Sequence, residues 1–149
     1  MKKLTLVLSL LFFTAMGAFA QIEDPITWSY AAKKVSPTEA IVYLKASIEK
    51  GWHIYSQNVK SGGPTKTLIT FTPSKDYAKV GKTLEPKAIT KFEDTFKMNV
   101  SYFENDVIFQ QRVKIPKGSA LVKGTVEFAV CNDRKCLPPD EVNFSVQVK

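Results

Sequence analysis

Cysteine and histidine are scarce: the 149 residues hold two of the first and one of the second. A multi-histidine metal centre is thereby excluded. No glycine-rich phosphate loop is present, and no motif supports Ser/His/Asp catalysis. After the first twenty residues nothing is apolar enough over a sufficient length to span a bilayer. No internal repeat, low-complexity segment or amphipathic helix of useful length is visible.

Positive charge is in excess, yet it forms no basic block. Lys and Arg number 21 against 14 Asp and Glu, a formal net charge of +7, with the lysines scattered singly in turns and on outward strand positions. Without clustering or interleaved aromatics this reads as a solvated surface, and nucleic acid is not an expected partner.

What is present begins with an address. Lys2 and Lys3 precede an apolar run from Leu4 to Phe13, and Ala18-Phe19-Ala20 has the small-x-small form of a cleavage site. Met1 to Ala20 is therefore read as a secretory signal peptide cleaved after Ala20, too short in its apolar part to be a membrane span. No cysteine follows the cleavage site to carry a lipid anchor. The expected mature chain is one domain, residues 21–149, with a net charge of +5 once Lys2 and Lys3 are discounted. It is expected to be exported and not itself membrane-spanning.

The mature sequence runs as short alternating stretches divided by turn residues, the pattern of a β-sandwich. Strands are predicted at 27–35, 39–48, 52–56, 66–72, 107–115 and 124–131, with weaker ones at 77–80 and 88–92 and a last one carrying Val142, Phe144, Val146 and Val148 on one face. Residues 57–65, with Ser61-Gly62-Gly63-Pro64, form a loop. The fold class is all-β, an immunoglobulin-like β-sandwich with the two cysteines on a short hairpin. Antibody domains join distant strands across the core with their disulfide. Cysteines this close in sequence cannot make that bond.

Cys131-Asn132-Asp133-Arg134-Lys135-Cys136-Leu137-Pro138-Pro139 carries the chemistry. Closing a ring of about six residues would stabilise a fold by only roughly 2 kcal/mol, against nearly 5 for a hundred-residue loop. A staple is thus a weak use of the pair. In the strand leading to it, Val126, Phe128 and Val130 share one face, and Cys131 falls on the other with Thr125, Glu127 and Ala129. The sulfur is expected outside the main core, within reach of a partner. Asn132-Asp133 starts a tight turn that returns Cys136 opposite Cys131, and an exposed bridge of this kind is easily reduced. Arg134 and Lys135 favour a thiolate at Cys136, and Asp133 opposes them. Pro138 and Pro139 stop regular pairing beyond it. The residues alone leave redox exchange and a structural hairpin disulfide both open.

Three stretches in order resemble the N-terminal periplasmic domain of the DsbD thiol:disulfide interchange proteins. They are Cys131 to Pro139, the run Gly51-Trp52-His53-Ile54-Tyr55, and Ser101-Tyr102-Phe103-Glu104 leading into residues 107–116. The resemblance spans roughly Thr27 to Val148, with four residues between the cysteines where the family pattern has five. It implies a redox relay that takes reducing equivalents as a dithiol from a membrane-embedded electron donor. It passes them to disulfide-bearing periplasmic proteins, of the disulfide isomerase type or the thioredoxin-like type of cytochrome c maturation. By position, Cys136 would form the mixed disulfide and Cys131 would resolve it. Tyr102 and Phe103 would be the cap loop over the sulfurs, and His53 and Tyr55 would line the site. The donor is then expected on another polypeptide, and the location is the periplasm.

The single histidine, His53, can also serve a leaving thiol as acid or base near neutral pH, and Glu104 is a candidate proton acceptor beside the cap. No cofactor or metal is expected. Cys131, Cys136 and His53 would suit copper(I) or zinc by ligand softness, but they lack a fourth protein ligand and the usual Cys-x-x-Cys spacing. The rival of the relay is an immunoglobulin-like binding adaptor whose disulfide only pins the hairpin and which docks a partner through Trp52, Tyr102 and Phe103.

Overall fold

A computed structural model describes residues 23–149, so the expected signal peptide, Met1 to Ala20, lies outside the described residues. The described chain forms eleven strands and no helix. In chain order they are β1 (Ile26–Ser36), β2 (Glu39–Ile48), β3 (Trp52–Tyr55), β4 (Leu68–Phe71), β5 (Ala78–Leu84) and β6 (Ile89–Glu93). Then come β7 (Met98–Glu104), β8 (Asp106–Lys114), β9 (Ala120–Phe128), β10 (Val130–Asn132) and β11 (Asp140–Val148). They make three antiparallel sheets, in the orders β1-β2-β8-β5, β10-β3-β7-β6 and β11-β9-β4. The fold is the all-β, immunoglobulin-like sandwich the alternation predicts.

β2 shows why. Every second residue from Ala40 to Ile48 is buried and the intervening ones are half-exposed, the signature of a strand with one face on a core. β8 alternates in the same sense, burying Val107, Phe109, Gln111 and Val113. These side chains meet those of β9 and β11, including Val122, Val126, Phe144 and Val146, in one large apolar cluster. Gln111, fully buried on the same strand face, has its side-chain amide satisfied. Its amide donates to the carbonyls of Val80 (3.0 Å) and Arg112 (2.8 Å) and accepts from Thr83 Oγ1 (2.8 Å), which stitches the irregular stretch of β5 to β8.

Gly124 is required by close packing. It pairs with Phe71 on one side and Phe144 on the other, and a Cβ there would stand 2.1 Å from the Thr70 carbonyl oxygen and 2.5 Å from the Phe144 ring.

Two places depart from the sequence reading, and both position the site. The stretch 124–131, read as one strand, breaks at Ala129. β9 stays in the third sheet, while β10 joins β3 in the second. Residues 101–104, read as a cap loop, are instead the end of strand β7, paired with β3 and β6. At Asn105, with φ at +61°, the chain turns from the second sheet into β8 of the first. The Asn105 carbonyl accepts from Ile48 N at 2.6 Å to fix the corner. Asn tolerates that left-handed backbone better than other non-glycine residues.

Candidate functional site

The cysteine hairpin is closed by its turn residues. Asn132 N donates to the Lys135 carbonyl (2.9 Å) and Leu137 N to the Val130 carbonyl (3.0 Å). Between these two bonded pairs Cys131 and Cys136 face each other without backbone bonds of their own, the arrangement that brings opposite side chains closest. Their Cα atoms are 4.0 Å apart and their sulfurs are joined. Asn132 Oδ1 accepts from the backbone N–H groups of Arg134 (2.8 Å) and Lys135 (2.9 Å), an Asx turn that closes the loop with four residues between the cysteines. Lys135 pairs with Glu23, which ties the hairpin tip to the start of the described chain. Leu137 packs on the main core, and Pro138-Pro139 carries the chain out to β11.

The two cysteines are not equivalent. Cys136 is exposed, but Cys131 is buried at 2% exposure. As read from the alternation, Cys131 points away from the main core. It does not reach solvent, because the outer face of the second sheet carries a second apolar cluster. Tyr55, Val100, Ala129 and Cys131 form its centre, with Val59, Phe96, Met98 and Tyr102 packed around them. The expectation that both sulfurs lie open to a partner is corrected for Cys131.

Strand register assembles the rest of that face. Cys131 of β10 is opposite His53 of β3, which is opposite Glu104 of β7. One row along, Tyr55 is opposite Tyr102. The His53 ring stands edge-on to Tyr55 (centroids 5.3 Å apart) and 5.0 Å from Tyr102, and its Nε2 is 3.3 Å from the Tyr55 hydroxyl. A cleft of about 290 Å³ opens beside these residues, lined by His53, Tyr102, Glu104, Phe96 and Glu93 on one side and by the hairpin with Cys136 on the other.

Burial holds the His53 imidazole below its ordinary pKa, an effect Lys91 adds to and Glu93, Glu104 and Asp133 oppose. His53 is therefore neutral at neutral pH. Burial likewise pushes the Tyr55 and Tyr102 hydroxyls up, so both stay protonated. Among the described residues no group of three His, Cys, Asp or Glu side chains is arranged to hold a metal ion.

Of the residues expected at the site, the register brings together Cys131, Cys136, His53, Tyr55, Tyr102 and Glu104. Phe103 is elsewhere. As the neighbour of Tyr102 on a strand it points to the opposite face, at 5% exposure, and packs edge-on against Phe109 (centroids 5.9 Å) in the main core. It is withdrawn from the cap on that ground, and Trp52 also packs on the main core.

Sequence reasoning missed Phe96. It lies in the turn of residues 94–97 between β6 and β7, where Phe96 N donates to the Glu93 carbonyl (3.2 Å) and Lys97 takes φ of +52°. Its ring packs on the Cys131 cluster and lines the cleft with Cys136. The available signal was a lone aromatic in the polar run Glu93-Asp94-Thr95-Phe96-Lys97. Also missed was Glu85. Its carboxylate accepts from Gln57 N (3.0 Å), Gln57 Nε2 (3.2 Å), Asn58 Nδ2 (2.6 Å) and the Ser56 hydroxyl, clamping the loop that leaves β3 just after Tyr55.

Comparison with known proteins bears on this site. The family described as thiol:disulfide interchange protein DsbD, N-terminal, matches residues 24–147. Among solved structures the chain is similar to one from the complex between the DsbD N-terminal and PilB N-terminal domains of Neisseria meningitidis. The two are 14% identical, with 87% of this chain and 88% of that chain covered and a TM-score of 0.56. The reduced DsbD N-terminal domain of the same organism is 16% identical over 79% of this chain and 82% of its own, at a TM-score of 0.50. The N-terminal periplasmic domain of ScsB from Proteus mirabilis is 16% identical, with a TM-score of 0.53, over 83% of this chain and 44% of that one. At such identities the likeness is one of fold. No curated protein sequence matches the chain.

Proposed function

The chain belongs to the DsbD N-terminal domain family, a family of thiol–disulfide interchange, and from that premise we propose that it is a periplasmic protein-disulfide reductase acting as a relay. It takes up reducing equivalents as a dithiol from a membrane-embedded donor and delivers them to disulfide-bearing proteins of the disulfide isomerase or cytochrome c maturation type. The signal peptide, removed after Ala20, delivers it to the periplasm.

The observation that carries this reading is the unequal exposure of a pair held on one short hairpin, Cys136 open and Cys131 buried at 2%. One accessible thiolate and one sheltered resolving thiol are what sequential exchange needs. In the reduced protein the Cys136 thiolate attacks a sulfur of the partner's disulfide, forming a mixed disulfide and releasing one partner thiolate. Cys131 then attacks Cys136 Sγ, the mixed bond breaks, and the second partner thiolate leaves. Two electrons have passed from the Cys131–Cys136 dithiol to the partner. Phe96, Tyr102 and the cleft around them control access, and His53, Tyr55 and Glu104 line the exchange site.

The structures of related domains support the partner class, since one of them is of a complex between two domains named for DsbD and PilB. The test is a trap. Cys131→Ser in the reduced state should accumulate a Cys136 mixed disulfide with an oxidised thioredoxin-like acceptor, and Cys136→Ser should not. No adduct with Cys131→Ser would overturn the relay. So would a Cys131–Cys136 potential below about −300 mV in a glutathione or dithiothreitol buffer, the range of structural disulfides.

A further inference from the structure

We propose that His53 is the proton acceptor for Cys131 in the resolving step, taking the thiol proton as Cys131 attacks the mixed disulfide at Cys136. This rests on the relay reading above and assigns a residue to its second half.

The need arises from burial. Cys131 is enclosed among Tyr55, Val100 and Ala129 at 2% exposure, and a thiol kept in such apolar surroundings resists ionisation. Yet only the thiolate attacks a disulfide. A base must therefore reach the sulfur from within the protein. His53 is the residue directly opposite Cys131 across the β10–β3 ladder and on the same face. Directly opposed side chains start from Cβ atoms roughly 5 Å apart, within reach of an imidazole.

The surroundings suit the role. The Tyr55 hydroxyl oxygen lies 3.3 Å from Nε2, and the tautomer the proposal requires donates Nε2–H to it and leaves Nδ1 as the acceptor. The ring is uncharged at neutral pH because burial outweighs the nearby carboxylates. Once it takes a proton, those carboxylates favour the imidazolium: Glu93 from β6, Glu104 from β7 and Asp133 from the hairpin. Lys91 of β6 works against it, and Tyr55 and Tyr102 face it as neutral hydroxyls. Arg134 and Lys135 line the same cleft, where their charge suits a departing thiolate.

The step balances. Cys131 gives its proton to His53 and its electron pair to a new bond with Cys136 Sγ. The partner sulfur leaves with the pair of the broken bond and takes the proton from the imidazolium. His53 ends as it began.

Ellman's reagent separates the two half-reactions, because an equimolar amount releases one coloured thiolate on attack by Cys136 and a second when Cys131 resolves. At pH 7 the second release should slow about ten- to thirty-fold in His53→Gln. An ordinary thiol with pKa near 8.5 is only roughly 3% ionised at pH 7, which sets the scale of that loss, and burial of Cys131 pushes it toward the upper end. The first release should stay within about twofold. The two proteins should converge as pH rises and Cys131 ionises unaided. Equal second-release rates at pH 7, or both releases slowed in parallel, would overturn the assignment. If His53→Gln does not fold, the wild-type profile decides. A second release that rises to a plateau with an inflection below 6.5 supports His53, and one that rises only through the thiol range overturns it. Absence of the first release in wild type would instead refute the relay itself.

Discussion

Phe96→Ala tests whether the turn between β6 and β7 gates the sulfurs. The ring is half-buried against the Cys131 cluster and borders the cleft that holds Cys136. Full burial of a phenylalanine is worth about 1.5–3 kcal/mol, so half of that, about 1 kcal/mol, is what a reductant must offset to lift the ring aside. Removing the ring should then raise the rate of reduction by about fivefold, since 1.4 kcal/mol corresponds to a factor of ten. Global stability should fall by only about 1 kcal/mol, because the main core is untouched. The assay is pseudo-first-order reduction by dithiothreitol, sampled by acid quench and alkylation of the freed thiols, beside urea unfolding of the oxidised protein. A fivefold gain in reduction rate with a small shift in urea midpoint fits gating. An unchanged rate would show that Phe96 is packing alone and that access to Cys136 is already unrestricted.

Four other outcomes follow from particular contacts. Gly124→Ala drives a methyl into the Thr70 carbonyl and should destabilise the fold by about 1–3 kcal/mol, read as a fall in urea midpoint. Phe103→Ala should lose about 3–5 kcal/mol as a core deletion while leaving the rate of disulfide reduction within twofold under conditions where the variant is folded, in contrast to Phe96→Ala. Glu85→Ala strands the Ser56 hydroxyl and the Gln57 N–H, for a loss of about 1–3 kcal/mol measurable by urea titration. For His53 the folded pKa lies below the unfolded value of about 6.5. Between the two the unfolded chain holds more protons, so stability rises with pH there and is lost on acidification. Urea midpoints taken from pH 5 to 8 should show that slope in the wild type, and His53→Gln should lack its contribution.

The sequence made some elements legible because one face of each strand meets a core and the other meets water. β2 is the clearest: its bounds, 39–48, and its inward residues follow from alternation alone. β8 and β11 are nearly as plain. The second sheet hides its pattern for a physical reason. It is covered on both sides, by the main core through Ile54, Phe103 and Val130 and by the outer cluster through Tyr55, Val100 and Cys131. Where both faces are buried, period-two contrast fades. No strand is therefore predicted over Met98–Glu104, where Tyr102 and Phe103, adjacent in sequence, are strand neighbours pointing opposite ways.

That double cover also decides what the site is. A cysteine pair on a hairpin at the edge of a one-sided sheet would expose both sulfurs equally, and either could serve as nucleophile. Here the outer cluster takes Cys131 out of water and leaves Cys136 at the rim of the cleft, so in the relay proposed above the order of attack would be set by packing rather than by the chemistry of identical thiols. Strand register sets the one histidine opposite that same buried cysteine. The cover has to come from outside the hairpin, because nine residues of loop cannot bury their own sulfur. It comes from Tyr55 of β3, from β7 and from Phe96, a residue remote in sequence that stands between Thr95 and Lys97. Local pattern marks the pair and the strand beside it; only the fold reveals which sulfur is kept back, and by what.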